Sequence, residues 1–189
     1  MGAGAVMARL AGPARVAALL LSGVWTGALL AFAGGAGIVL GTSPSRDAGG
    51  EVNRALLDAL DVASYVLSGL LLLAVLVLSR DEETPARSRG LLPRLVLFGA
   101  AVTLASHLFV TPAMSSLRDR MPVDIELVPK DDPVRRAWGR LHGVSSLALL
   151  CRVAASLGVF ALALPLRPRT RWGAARPYGG EDGPEGGDA

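Results

Sequence analysis

Residues 62–79 read Val62-Ala-Ser-Tyr-Val-Leu-Ser-Gly-Leu-Leu-Leu-Leu-Ala-Val-Leu-Val-Leu-Ser79, without a single charge and with an unbroken apolar stretch from Leu70 to Leu78. A helical run of about 18 residues or more is long enough to cross a hydrocarbon core of about 30 Å. The stretch has no polar face, as expected of a helix that meets lipid on several sides. Asp58 and Asp61 precede the run and Arg80 closes it.

Three further runs repeat the pattern. Val16 to Gly41 carries no charge, opens after Arg9 and Arg15, and closes at Thr42-Ser-Pro. Ala31-Phe-Ala33 fits a signal-peptidase site, but the apolar stretch continues well past it, which favours an uncleaved membrane helix. Leu95 to Thr111 follows Arg94, is stopped by Pro112, and contains Thr103, Ser106 and His107. Leu141 to Leu166 is interrupted by Arg152 and followed by prolines. The chain is therefore expected to be all-α, a membrane-embedded four-helix bundle with helices at about 16–41, 60–79, 93–113 and 139–166. A short basic segment, 1–15, would precede the bundle. A basic then acidic tail, 167–189, rich in glycine and proline, is expected to be disordered. The linkers fall at Thr42 to Arg54, Arg80 to Gly90 and Met114 to Arg140, and the piece from Met121 to Pro129 reads as extended between its prolines.

Composition agrees. The 189 residues are 51% hydrophobic but only 5% aromatic and 19% charged, with a mean hydropathy of +0.46 and a pI near 9.7. The excess positive charge is arginine at the ends of apolar runs, which membrane topology explains without a nucleic-acid partner. Lys and Arg bias slightly favours the side holding Arg9, Arg15, Arg80, Arg87, Arg89 and Arg167. This predicts both termini in the cytoplasm and a plasma (inner) membrane location. Cys151 is the only cysteine, which excludes an intrachain disulfide or a thiolate metal cluster.

Charges inside a membrane cost about 2.5–3.5 kcal/mol on insertion scales and usually face the bundle interior. On a helical wheel His142, Ser145, Ser146, Arg152 and Ser156 fall within about 120° of one another. Thr103, His107 and Thr111 share a line on the third helix, and Asp58, Asp61 and Tyr65 one side of the second. The candidate polar cluster is thus His142, Ser145, Ser146, Arg152, His107, Asp61 and Tyr65. With the second helix starting near residue 60, Asp61 would lie by the membrane surface, too far from Arg152 for direct contact. Tyr65, serines or water would then bridge the two. Gly23 and Gly27 have GxxxG spacing, which suits close helix packing inside the bundle and leaves self-association open.

No Walker-type loop, HExxH or CxxC is present, and neither serine flank resembles a hydrolase elbow. Two histidines cannot build a three-histidine zinc site. The expectation is a non-enzymatic protein without a cofactor, whose certain partner is the lipid bilayer and whose protein partners are open. One alternative is permeation of a small solute or ion along the polar stripe. Another is a haem- or metal-binding redox protein using His107 and His142.

Leu19-Leu-Leu-Ser-Gly-Val-Trp-Thr-Gly27, Thr111-Pro-Ala-Met114 and Trp138-Gly-Arg-Leu-His-Gly-Val-Ser-Ser-Leu147 together resemble the transmembrane protein 205-like family of small four-helix membrane proteins. Its domain is catalogued as one of unknown function (domain of unknown function 4149). The resemblance spans about residues 12 to 166, and its matching positions are Ser22, Gly23, Trp25, Pro112, His142, Ser145 and Ser146. It implies a four-helix membrane bundle and carries over no established enzyme activity. The chain departs from the family pattern at Ala17 and Leu149, where a eukaryotic relative carries histidine and asparagine.

Overall fold

The computed structural model describes residues 3–164, with side chains from Arg9 onward. The expected tail at 167–189 lies outside the described residues. Five α-helices follow in order: α1 (Ala3–Thr42), α2 (Arg46–Arg80), α3 (Ala86–Ala105), α4 (Thr111–Asp119) and α5 (Pro133–Ala163). A single π-helical turn, Ser106–Val110, joins α3 to α4. The stretch from Ala86 to Asp119 is thereby one long helical rod, and four rods are long and apolar enough to cross a membrane. The protein is a multi-pass, all-α membrane bundle.

The first three rods extend past their apolar runs at both ends, while α5 starts earlier than its run and ends at Ala163, short of the expected 166. The expected linker 42–54 shrinks to three residues, Ser43 to Ser45, between α1 and α2. Ser45 caps α2 by accepting a hydrogen bond from the Ala48 amide at 3.2 Å, and the mixed-charge residues behind it continue the helix. Gly49 makes the turn tight, since a Cβ there would stand 3.1 Å from the Leu40 Cα. At the other end α5 starts at Pro133, where a proline costs no hydrogen bond. Asp132 caps it, taking the amides of Val134 at 2.8 Å and Arg135 at 2.9 Å. The basic segment at 1–15 is helical from Ala3 onward, its alanines being strong helix formers.

Pro112 does not stop the third rod, contrary to expectation. Its missing N–H and its ring disturb the Leu108 carbonyl one turn back. The helix absorbs this by widening, the Thr111 amide reaching back to the Ser106 carbonyl, and then runs on to Asp119. Such π turns are insertions that re-aim neighbouring side chains. The piece from Met121 to Pro129 is a series of turns rather than an extended strand. It is pinned because Met121 and Val128 are buried, and Arg135 donates to the Val128 carbonyl.

The helices pack in a ring, α1 against α2, α2 against α3, α3 against α5, and α5 against α1. Thus α2 and α5 run parallel on one diagonal, and α1 and α3 on the other. At the second-loop end the core is apolar: Ala18, Leu71, Ala74, Val75, Leu78, Leu92, Val96, Val159 and Ala163 are buried together. Toward the first and third loops burial thins to a few residues, Gly49, Met121 and Val128 among them. Beyond Leu29 no residue of α1 is buried, and neither is any residue of α5 before Arg152. There the rods form an open half, tied at the rim by the Arg118–Asp47 and Arg46–Glu126 ion pairs and by Arg54 donating to Ser115. Asp124 belongs to this rim; its carboxyl is held above the usual carboxylate range by a hydrogen bond with Asp47.

Candidate functional site: a buried polar layer

Where the open half meets the apolar plug, both diagonals of the bundle are crossed by side chains. Across α2 and α5, Arg152 Nη1 donates to Asp61 Oδ1 at 2.7 Å, with the two side chains 2% and 1% exposed. Arg152 Nη2 donates to Ser64 Oγ at 2.8 Å, and Trp25 Nε1 donates to the same oxygen at 3.2 Å. Both lone pairs of the Ser64 hydroxyl are thereby occupied. Across α1 and α3, the Trp25 ring lies over Gly99. A Cβ at Gly99 would sit 2.8 Å from Trp25 Cη2, so only glycine admits the indole. Thr26 donates to Ser156 Oγ at 2.8 Å, and Thr103 folds back onto the Gly99 carbonyl at 3.0 Å. A fully buried ion pair, an indole and hydroxyls from all four rods occupy this one level.

Direct contact between Asp61 and Arg152 corrects the expectation of a bridged pair. Because α2 begins at Arg46, Asp61 is deep in its helix rather than at the surface. Counted from the starts of their helices, Asp61 and Arg152 lie about 22 and 28 Å along, at 1.5 Å per residue. Helical side chains lean toward the N-terminus, which brings the guanidinium back to the carboxylate.

The π turn delivers His107 to the edge of the layer. Its Nδ1 lies 3.7 Å from Asp61 Oδ2, and its side chain is 40% exposed. Tyr65, one turn along α2 from Asp61, meets the imidazole edge-on, with ring centroids 6.1 Å apart. Several buried atoms around the pair lack any hydrogen-bond partner: Asp61 Oδ2, Tyr65 Oη, Ser68 Oγ, His107 Nδ1 and Arg152 Nε. Buried polar groups are nearly always satisfied, so these atoms call for partners beyond the side chains around them, water being the ordinary one.

Of the expected cluster, the fold unites Asp61, Tyr65, His107 and Arg152. It does not bring in His142, Ser145 or Ser146. His142 is exposed and stacks on Trp138 at 5.3 Å, the two planes 3° apart. Ser146 is exposed and bonds its own helix at the His142 carbonyl, 3.0 Å away, and Ser145 is half-buried. All three lie on the third-loop side of Arg152, where α5 has no buried residue. His107 and His142 thus have different ring neighbours, Tyr65 for one and Trp138 for the other. Among the described residues no group of three or more His, Cys, Asp and Glu side chains is arranged to hold a metal. A Cβ at Gly23 would meet the Phe160 ring at 3.7 Å, whereas one at Gly27 would meet nothing within 4 Å. Trp25, Thr26, Ser64 and Ser68 were missed as site residues. On α2, the spacing of Asp61, Ser64, Tyr65 and Ser68 is a one-face helical pattern that carried the signal.

The family model described as Domain of unknown function (DUF4149) matches residues 20–122, and the chain belongs to that family. The matched segment holds Trp25, Asp61, Ser64, Tyr65, Gly99 and His107, while Arg152 lies beyond it. No curated protein and no solved structure matches the chain.

Proposed function

We propose that this chain, as a member of the DUF4149 family, is a non-enzymatic membrane protein that passes a small polar solute across the bilayer through its polar layer. One observation carries the reading: unpartnered polar atoms of Asp61, Tyr65, His107 and Arg152 lie at the level where the open half of the bundle ends. A buried ion pair serving only to hold helices together satisfies its remaining lone pairs and protons from the protein. Here Asp61 keeps one oxygen free and Arg152 one N–H free. A solute that both donates and accepts hydrogen bonds complements that set.

Beneath the layer the apolar plug is shut, so passage requires the rods to part around Leu71, Val75, Val96 and Val159. That is the behaviour of a carrier with a central site rather than of a permanent pore. In the orientation that the arginines of the second loop favour, the layer opens away from the cytoplasm and the plug lies on the cytoplasmic side, in a plasma (inner) membrane. Lipid is the partner this role requires.

The test is stopped-flow light scattering of liposomes containing the purified protein, challenged in turn with glycerol, urea and potassium formate. At least one challenge should equilibrate severalfold faster than in protein-free vesicles. The double variant Asp61→Asn/Arg152→Met should return it to the protein-free rate. Rates equal to those of empty vesicles for all three probes would refute permeation by this route.

A further inference from the structure

Asp61 is faced by Arg152 from α5, by His107 from the π turn, and by Asp58 and Tyr65 on its own helix. To the same layer α1 and α3 present Trp25 and Thr103, which do not titrate. Arg152 takes one carboxylate oxygen, and the other looks across 3.7 Å at a histidine nitrogen that is also buried and also unpartnered. A made N–H···O bond spans about 2.7–3.2 Å. A neutral imidazole with its proton on Nε2 turns the Nδ1 lone pair toward the carboxylate lone pairs, and two acceptors hold each other off. One proton on Nδ1 converts that repulsion into a charge-assisted hydrogen bond and satisfies both open atoms at once.

We propose that His107 and Asp61 form a proton-binding site, with His107 as the group that takes the proton up and Asp61 as the acceptor that holds it. The step balances simply. A hydrated proton adds to the Nδ1 lone pair, giving an imidazolium that donates to Asp61 Oδ2, and nothing is oxidised or reduced. The His107 side chain is 40% exposed while Nδ1 itself is buried, so uptake requires the ring to swing outward and return carrying the proton. The ring is carried by the π turn, the one irregular turn of its rod. A metal cation fits the same gap poorly. It would need several oxygens, and the free oxygen available belongs to a carboxylate already bound to a guanidinium. The site goes beyond solute passage and does not depend on it, since a proton can bind here whether or not anything crosses.

The experiment is ¹⁵N NMR of the imidazoles in nanodiscs across a pH series, in a His142→Gln background so that His107 is the only histidine. His107→Gln in that background identifies the signal by its loss. The expected result is that Nδ1 gains a proton as pH falls, with the downfield proton resonance of a bond to a carboxylate. That resonance should vanish on Asp61→Asn. Since the lone Asn leaves Arg152 as a buried unpaired cation, the Asp61→Asn/Arg152→Met variant, which removes both charges, gives the same reading in a protein free of that strain. An imidazole titration and tautomer unchanged by either Asp61 variant would overturn the proposal, and so would a proton residing on Nε2 alone at every pH. Solute flux in liposomes is a separate measurement, so loss of one result leaves the other standing.

Discussion

The polar layer around Asp61 and the apolar plug around Leu71 are built on the same four rods, a few turns apart, yet different physics holds each of them. In the plug, Leu71, Val75, Leu78, Leu92, Val96 and Val159 fill one another's gaps. Lipid tails are as apolar as these side chains, so burial itself contributes little and contact packing carries the stability. In the layer, Arg152 bonds Asp61 and Ser64 on α2, Trp25 bonds Ser64, and Thr26 bonds Ser156 across helices, and the alternative for Arg152 is exposure to hydrocarbon. The plug can tolerate a change of volume by repacking. The layer is a network, where loss of one member strands another.

That contrast is sharpest for the ion pair. Arg152→Met leaves the Asp61 carboxylate buried without its cation and should cost roughly 3–5 kcal/mol, read as lost resistance to unfolding in detergent. Adding Asp61→Asn should recover most of it. A double variant as unstable as the single would show that the two do not act as one unit. Gly99→Ala comes next. Its Cβ would meet Trp25 Cη2 at 2.8 Å, so the indole must shift away from Ser64, at a cost of about 1–3 kcal/mol. Near-UV circular dichroism should register the displaced tryptophan, and an unchanged spectrum would contradict the packing of Trp25 over α3.

In the plug, Leu71→Ala should cost only about 1–2 kcal/mol, less than in a water-soluble core, because the packing share alone is lost. It should leave the His107 imidazole spectrum as it was; a change there would mean that plug and layer are one cooperative unit. Least affected is His142→Ala, outside both regions, expected within about 0.5 kcal/mol by thermal unfolding. A larger loss would place the Trp138–His142 stack in the bundle's core rather than on its surface.

The helices were legible because their apolar runs exceed what a water-soluble domain displays. Their ends were not, since Arg46 to Asp61 is rich in charge and looks like a linker until the Ser45 cap and the tight turn at Gly49 are seen. The site was legible in part. A charge at Arg152 inside an apolar run is costly enough to require a partner, and Asp61, Tyr65 and His107 were within the field of candidates. Ser145, Ser146 and His142 share a helix with Arg152 but not its depth or its neighbours, and helical angle alone cannot distinguish these.

The amino-acid sequence by itself determined that this chain crosses a bilayer four times as an all-α bundle, because run length and charge placement decide that locally. Only the tertiary structure decided which residues meet. The start of α2 at Arg46 sets the depth of Asp61, the pairing of α2 and α5 across the diagonal sets its partner, and the widened turn before Pro112 aims His107 at its free oxygen. Each depends on where rods from distant parts of the chain lie against one another, and no local pattern encodes that.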